Sequence, residues 1–245
     1  IAIKLQGKSF RWGVAYQFSK KWNDATLWRS QRISNPKNRF LADPFVIKQN
    51  GSHFCFVEDL DYNSNKGSIS AYKITPSGYE AIGVVLEEDF HLAFPFIFEY
   101  ENEIFMCPET HEKKEIRLYK CIDFPKKWEF HTTLMKNVSA VDTIIFKHKD
   151  RWWLLTNIDQ SCVADHSCQL HVVSSDNPMS DEWVAHENNP VIFYPLFARN
   201  GELIISDNEI YRVFQRQGFY MYGEAGGIAR IARLSSTEYV EEVFF

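Results

Sequence analysis

The chain has 245 residues, of which 45% are hydrophobic and 16% aromatic, and its formal net charge is −5. This acidic balance argues against a general binder of nucleic acids or membrane surfaces, because such proteins need an excess of basic residues. No apolar run approaches the roughly 18–20 residues that span a bilayer, so we expect no membrane span.

One unit, built from short strands, recurs four times along the chain. In each copy an apolar run is followed eight residues later by a polar turn and then by a strand of apolar and aromatic residues. The runs are Ala42–Val46, Ala93–Ile97, Val141–Ile145 and Arg199–Ile204, and the strands are His53–Val57, Glu103–Cys107, Trp152–Leu155 and Ile210–Phe214. The turn residues Gly51, Asn102, Asp150 and Asn208 are 51, 48 and 58 residues apart. A repeat of about 50 residues made of short strands is typical of a β-propeller blade.

Each of the first three repeats continues into an outer strand. These strands are predicted at Gly67–Tyr72, Glu115–Tyr119 and Gln169–Ser174. Turns containing Pro125 and Pro178 follow the second and third of them, and we expect these turns to connect one blade to the next.

The two ends of the chain lie outside the four repeats. Strands are predicted there at Phe10–Tyr16, Gly227–Leu234 and Tyr239–Phe244. Because a propeller ring needs closure, we predict that both ends combine in a fifth blade. Residues 1–245 would then form a single five-bladed all-β propeller domain. A β-sandwich with a chance repeat is the alternative. The chain begins at Ile1 rather than Met, so it can belong to a longer polypeptide.

Several short motifs, in a fixed order, carry a family resemblance. They are Phe40–Phe45, His91–Pro95, Met106–Glu109, Arg117–Tyr119, Val141–Asp142, Ala198–Gly201, Tyr211–Arg212, Gln215 and Tyr222–Gly223. Their order and spacing resemble the N-terminal domain of plant glucosamine inositolphosphorylceramide transferases, from Trp12 to about Val243. More distantly the pattern is similar to the five-bladed propellers of arabinanases, xylosidases and invertases. The resemblance implies a carbohydrate-active propeller.

The furanosidase-type propellers place three carboxylates at the axis, and two of them have counterparts here. The resemblance implies that Asp43 is the base or nucleophile of the first blade and Asp142 the pKa-tuning acid of the third, at equivalent repeat positions. Cleavage of a glycosidic bond also needs a protonated carboxyl near the leaving oxygen. Where the fourth blade should supply it, the chain reads Arg199-Asn200-Gly201, and in a regular strand Glu202 would point to the opposite face from its neighbour.

An arginine at that position changes the chemistry that we expect. The guanidinium of Arg199 cannot protonate a leaving alkoxide, because it stays charged, but it can neutralise a phosphate by bidentate hydrogen bonds. With Asp43 as base for an acceptor hydroxyl, and Arg199 or Arg212 facing a phosphorylated donor, transfer becomes more natural than hydrolysis.

The remaining candidates are predicted to bind substrate. Glu58, His91 and Glu109 follow from their places in the repeat, whereas Gln215 and Tyr222, like Arg212, are implied mainly by the resemblance. Each candidate also has a structural interpretation: a turn-forming Asp43 before Pro44, a turn cap for His91, inter-blade salt bridges for the two glutamates, and a solvated strand face for Arg212. Asp142 interrupts an apolar run, and a buried charge is costly unless it is paired or used.

The cysteines and the remaining polar loops give no sign of a metal or cofactor. The segment Cys162–His171 contains ligand-type residues, but its spacing matches no paired-cysteine zinc pattern, so we predict no metal and no cofactor. Cys55 and Cys107 fall inside apolar strands and are predicted to be buried. This usage favours a reducing compartment, and we predict a cytoplasmic location.

These observations predict a glycosyltransferase, or its substrate-engaging module, acting in the biosynthesis of a surface glycan or glycolipid. Its partners would be a sugar donor with a phosphate or diphosphate leaving group and a glycan or glycolipid acceptor. The first alternative is a furanosidase-like hydrolase that uses Asp43, Asp142 and another acid such as Glu109. The second is a non-catalytic glycan-binding module.

Overall fold

A computed structural model describes residues 12–24, 26–161 and 165–244 of the chain. Short 3-10 helices occur at Trp22–Asp24, Leu27–Arg29 and His111–Lys113. Strands β1 (Val14–Tyr16) and β2 (Gln31–Ile33) form a two-stranded sheet. No helix of the described residues is long and apolar enough to cross a membrane.

The four repeats fold into four antiparallel sheets, each meandering outward from its first strand. The first contains β3 (Arg39–Gln49), β4 (Ser52–Asp61), β5 (Lys66–Thr75) and β6 (Gly78–Leu86), and the second β7 (Ala93–Tyr100), β8 (Glu103–Glu109), β9 (Glu115–Asp123) and β10 (Lys127–Lys136). The third contains β11 (Ala140–His148), β12 (Arg151–Ile158), β13 (Gln169–Ser175) and β14 (Val184–Ala185), with β15 (Ile192–Phe193) also paired to β13. The fourth contains β16 (Arg199–Ser206), β17 (Glu209–Arg216), β18 (Ala225–Leu234) and β19 (Tyr239–Val243).

The first strands of successive sheets contact one another. Strand β3 contacts β7, β7 contacts β11, and β11 contacts β16. Each sheet therefore presents its first strand toward a common centre and its last strand outward, which is the arrangement of propeller blades. The prediction of an all-β propeller is confirmed for four blades.

The predicted fifth blade is wrong in its C-terminal half. Strand β18 pairs with β17, and β19 pairs with β18, so both strands complete the fourth blade. The physical reason is that the outer edge of β17 needs backbone hydrogen-bond partners, and the next strand along the chain satisfies them through a short connection. At the N-terminal end β1 pairs with β2, whereas Phe10 and Arg11 of the predicted strand lie outside the described residues.

The segment that contains the two-stranded sheet contacts the first and fourth blades. Val14 and Ile33 belong to a buried cluster with Leu41 and Val57 of the first blade. On the other side, the ring of Trp22 lies 5.0 Å from that of Tyr211 in the fourth blade. The N-terminal segment thus contacts both blades at the ends of the repeat series.

All four first strands carry the same irregularity. Between two paired residues, two residues have no partner on the second strand, as in a β-bulge. These unpaired residues are Asp43-Pro44, Phe94-Pro95, Asp142-Thr143 and Gly201-Glu202. The backbone φ angles are 46° at Asp43, 45° at Phe94 and 51° at Asp142. Residues other than glycine rarely adopt this left-handed backbone conformation. The surrounding sheet must therefore stabilise the strained backbone at these positions.

The bulges confirm the repeat alignment and correct one detail. Asp43 and Asp142 occupy equivalent positions, as the sequence indicated, and so do Glu58 and Glu109, the partners of Ala42 and Ala93. The assumption of a regular strand at Glu202 is wrong, because Glu202 is itself one of the two bulged residues.

Candidate functional site

Two neighbouring cavities, each of about 390 Å³, open where the first strands meet. Both are lined by Asp43, Arg199, Gln215 and Tyr222. The first cavity is also lined by Glu58, His91 and Glu109, and the second by Asp142, Asn200 and Glu202. Residues from all four blades therefore share one polar centre.

A buried ion pair joins the third and fourth blades. The Nε of Arg199 donates a hydrogen bond to the carboxylate of Asp142. Burial raises the pKa of Asp142 to about 7, although the positive charge of Arg199 acts against this rise. Burial thus favours the neutral carboxyl of Asp142, whereas the ion pair with Arg199 favours its carboxylate.

Asp43 and Glu58 form a second acidic pair across the first blade. Burial raises the pKa of Asp43 to about 6, the charge of Glu109 adds to the rise, and Arg199 opposes it. Burial raises the pKa of Glu58 well above its usual range, and the nearby Asp43 adds to this effect. A hydrogen bond from Glu58 lowers the pKa of Asp43, as expected if Glu58 holds the proton and Asp43 accepts.

Glu109 has the opposite electrostatic behaviour. Burial alone would favour its neutral form, but a hydrogen bond from His111 and the charge of Arg199 lower its pKa. The His111 Nδ1 lies 2.6 Å from the Glu109 Oε1, and this bond raises the pKa of His111. A carboxylate that stays ionised cannot donate a proton, so the geometry disfavours Glu109 as a general acid.

His91 is held as a neutral imidazole beside Glu58. Its Nδ1 accepts a hydrogen bond of 3.0 Å from the backbone N–H of Gly67, so the proton lies on Nε2. Nε2 is 3.6 Å from the Glu58 Oε1, and burial lowers the pKa of His91. Any Cβ at Gly67 would lie 2.3 Å from the Leu92 carbonyl oxygen and 2.9 Å from the His91 ring, so this approach requires glycine.

Tyr222 and Gln215 line both cavities beside Arg199. The Tyr222 ring lies 5.6 Å from the guanidinium carbon of Arg199, and the ring of Trp12 packs edge-on against it at 6.4 Å. Burial raises the pKa of Tyr222, and a hydrogen bond from the Gln215 side chain acts against this rise, so the Gln215 amide is directed at the Tyr222 hydroxyl.

Arg212 does not reach the cavities, and its predicted contact with a donor phosphate is wrong. The side chain is completely buried and donates to both carboxylate oxygens of Glu241, at 2.6 and 2.8 Å. It also donates to the Asn200 Oδ1 and to the Phe197 carbonyl oxygen. Because these partners occupy the guanidinium, Arg212 is a structural ion pair of the fourth blade. The predicted solvated face is equally wrong.

Asn157 fixes the backbone on both sides of Arg199. Its Nδ2 donates to the Ala198 carbonyl oxygen at 2.8 Å, and its Oδ1 accepts from the Asn200 N–H at 2.8 Å. Asn157 pairs with Val141 at the position that Glu58 and Glu109 occupy in earlier blades, so the repeat alignment could have identified it.

Sequence reasoning missed several other residues of the site. Trp12, Asn200 and His111 have no predicted role, although Asn200 lies in the Ala198–Gly201 motif, because only the folded ring brings them to the acids. Glu202, which a regular strand would point to the opposite face from its neighbour, lines the second cavity, and burial raises its pKa to about 8. A repeated bulge at this position is the signal that would have found it.

Sequence comparisons relate the chain to one family of known proteins. Residues 24–244 match the family described as glucosamine inositolphosphorylceramide transferase 1, N-terminal. The chain is 34% identical over 211 residues to glucosamine inositolphosphorylceramide transferase 1 of Arabidopsis thaliana, covering 84% of this chain and 27% of that protein. It is 33% identical over 243 residues to the protein of the same name from Oryza sativa subsp. japonica, covering 97% and 31%. The chain thus spans less than a third of the length of these relatives.

Solved structures of glycoside hydrolases share the fold. A GH43 β-1,3-galactosidase aligns with a TM-score of 0.69 at 12% identity, covering 88% of this chain and 51% of that one. The GH32 β-fructofuranosidase of Bombyx mori aligns with a TM-score of 0.63 at 13% identity, covering 87% and 52%. The α-L-arabinanase of Cellvibrio cellulosa, complexed with arabinohexaose, aligns with a TM-score of 0.60 at 14% identity, covering 82% and 77%. At these identities the likeness concerns the fold alone.

Proposed function

Because the chain belongs to the glucosamine inositolphosphorylceramide transferase 1 N-terminal family, we propose that its central cavities bind the substrates of a glycosyl transfer. The donor is a sugar carrying a phosphate or diphosphate leaving group, and the acceptor is a glycan or glycolipid hydroxyl. The reaction belongs to the biosynthesis of a surface glycan or glycolipid. In the named relatives the chain corresponds to less than a third of the protein, so this domain either catalyses the transfer or engages its substrates.

The observation that carries the proposal is a buried arginine among acids at an open cavity. Arg199 uses its Nε to bind Asp142, and in the described part of the chain no hydrogen bond occupies its terminal nitrogens. These nitrogens are suited to a phosphate, since the planar guanidinium binds such oxyanions in bidentate fashion.

Asp43 supplies the base in this scheme. With a pKa of about 6, it is mostly ionised at neutral pH and can accept the proton of an acceptor hydroxyl. The hydrogen bond with Glu58 orients its carboxylate. The departing phosphate is an anion that the guanidinium of Arg199 stabilises, so the leaving group needs no protonation. The hydrolysis of an ordinary glycoside differs, because its leaving oxygen needs a general acid.

A hydrolase is the second candidate, favoured by one specific observation. Burial raises the pKa of Asp142 to about 7, and a carboxyl that holds its proton nearer to neutral pH is suited to act as general acid with Asp43 as its partner. Glu109 is a poor choice for that role, because its pKa is lowered. A non-catalytic glycan-binding module would use the same cavities without turnover.

Two further expectations remain part of the proposal. We propose that the sheet of β1 and β2 occupies the place of a fifth blade, so the chain forms one closed domain. Its contacts with the first and fourth blades support this. We also keep a reducing, cytoplasmic setting as a proposal, which is supported by free thiols at Cys55 and Cys107.

The test is a binding comparison followed by two substitutions. Nucleoside diphosphate sugars and neutral oligosaccharides are screened by thermal shift. The proposal expects stabilisation only by the diphosphate donors, and an affinity loss of at least tenfold in Arg199→Ala, the value of one charge-assisted contact. In Asp43→Asn, donor affinity should persist while transfer to an acceptor stops. Stabilisation by neutral oligosaccharides alone would instead support hydrolysis or glycan binding.

A further inference from the structure

Six large apolar side chains are exposed on two segments beside the cavities. One segment is the end of β15 with the loop that follows it, and the other is the loop that joins β17 to β18. The exposed residues, called here the aromatic rim, are Phe193, Tyr194, Phe219, Tyr220, Met221 and Tyr222. Phe219 and Tyr220 are 93% and 94% exposed, more than any other large apolar residue described.

The two loops form one surface. The backbone N–H of Gln217 donates a hydrogen bond of 3.2 Å to the Pro195 carbonyl oxygen, which ties the second loop to the first. No charged residue occurs at positions 191–198 or 217–223, but Arg216 and Glu224 flank the second loop, and the Glu224 carboxylate lies against Gly218. Folding does not require Phe219 and Tyr220 to be aromatic, since both rings remain almost fully in solvent. An exposed apolar patch of this kind marks an interaction site.

The aromatic rim is continuous with the candidate site. Tyr222 belongs to the rim and also lines both cavities, with its ring 5.6 Å from the guanidinium carbon of Arg199. If a ligand fills the polar cavity and extends out of it, the protruding part therefore contacts the rim. An amphiphilic ligand, with a charged head and apolar chains, matches this sequence of surfaces.

We propose that the aromatic rim docks on a lipid surface and holds the acyl region of a glycolipid acceptor while the polar headgroup enters the cavities. The inference rests on the proposed function, which requires an acceptor hydroxyl near Asp43. Tyrosine and phenylalanine suit the boundary between headgroups and acyl chains, because their rings are apolar and the tyrosine hydroxyl remains hydrated. The net charge of −5 argues against general electrostatic attraction to anionic lipid, so the proposed docking depends on apolar contacts.

The experiment measures co-sedimentation with neutral phosphatidylcholine vesicles. Wild type should partition onto them, and the double variant Phe219→Ser/Tyr220→Ser should lose at least tenfold in partitioning, because two apolar rings no longer insert. The matched control is Trp28→Ser. Trp28 is 78% exposed, but it precedes Gln31, whose side chain donates to the Pro76 carbonyl oxygen in the β5–β6 turn, away from the cavities. The control should partition like wild type.

Several outcomes would overturn the inference. These are no partitioning by wild type, an unchanged double variant, or an equal loss in the Trp28→Ser control. A dimer in light scattering that the double variant abolishes, without vesicle binding, would assign the rim to a second copy of the chain. Binding of nucleoside diphosphate sugars is measured separately without vesicles. If wild type does not bind these donors, the proposed function fails. If the double variant still binds the donors but partitions less onto vesicles, the result supports the role of the rim in lipid docking.

Discussion

Replacing Arg199 by methionine should make the stability of the protein depend steeply on alkaline pH. The guanidinium opposes the burial effect that brings the pKa of Asp142 to about 7. Without it, the pKa of this carboxyl rises further. In the unfolded chain an aspartate titrates near 3.9, so between the two pKa values the folded state binds the extra proton. The contribution of Asp142 to stability is therefore lost as pH rises toward the folded pKa.

The size of the effect follows from the free energy of binding one extra proton in the folded state. In wild type the stability contribution of Asp142 is fully lost just above pH 7. In Arg199→Met the loss continues at about 1.4 kcal/mol per pH unit until the new pKa is reached. Between pH 7 and pH 9 the gap between the two proteins should then widen by up to about 2.7 kcal/mol. For a chain of this length, that is a further fall in Tm of roughly 5–11 °C. Asp43, with a pKa of about 6, adds to the same trend.

The assay is thermal unfolding followed by circular dichroism at pH 5.5, 7 and 9. Arg230→Met is the matched control, because Arg230 forms its ion pairs with Glu209 and Glu242 on the surface. The difference in Tm between Arg230→Met and wild type should be small and nearly constant with pH. Adding Asp142→Asn to Arg199→Met should remove much of the alkaline slope. A pH-independent gap for Arg199→Met would refute the reasoning.

Two further substitutions test the parts that position the site. Arg212→Met leaves Glu241 buried without its partner and should cost about 3–5 kcal/mol in urea unfolding, whereas the surface variant Arg230→Met should cost under about 1 kcal/mol; equal losses would contradict the buried pairing. Asn157→Ala removes the bonds that hold Ala198 and Asn200, so it should lower stability by about 1–3 kcal/mol and weaken donor binding. Unchanged donor affinity in a folded Asn157→Ala protein would show that Arg199 needs no such support.

The repeat could be predicted because each copy obeys the same local physics. Strand alternation, polar turns and the spacing of about 50 residues recur, so Asp43 and Asp142 could be placed at equivalent positions before any coordinates. Cys55 and Cys107 were likewise identified as buried, and both are completely enclosed. These inferences depend on neighbours close in sequence.

The errors concern partners that are far apart in sequence. Arg212 looked like a free cation because Glu241, its partner, is 29 residues away on β19. The C-terminal strands were assigned to a separate blade because no alternation pattern specifies which edge a strand will join. The ionised state of Glu109 depends on His111 and Arg199 together, and only the ring brings those charges within reach. Electrostatics of this kind cannot be derived from spacing.

The bulge at Phe94 has the same backbone bend as the bulges at Asp43 and Asp142 but presents no acid. Its φ of 45° matches those of the two aspartates, yet the residue is an apolar ring, 4.8 Å from the ring of Phe45. A conformation that is unfavourable for phenylalanine persists in a blade where it places no acid. The bend is therefore a property of the repeated unit in the first three blades rather than of any reaction. One backbone shape presents an aspartate in two blades and a phenylalanine in the other, so the group at the axis can differ while the strands that present it stay the same.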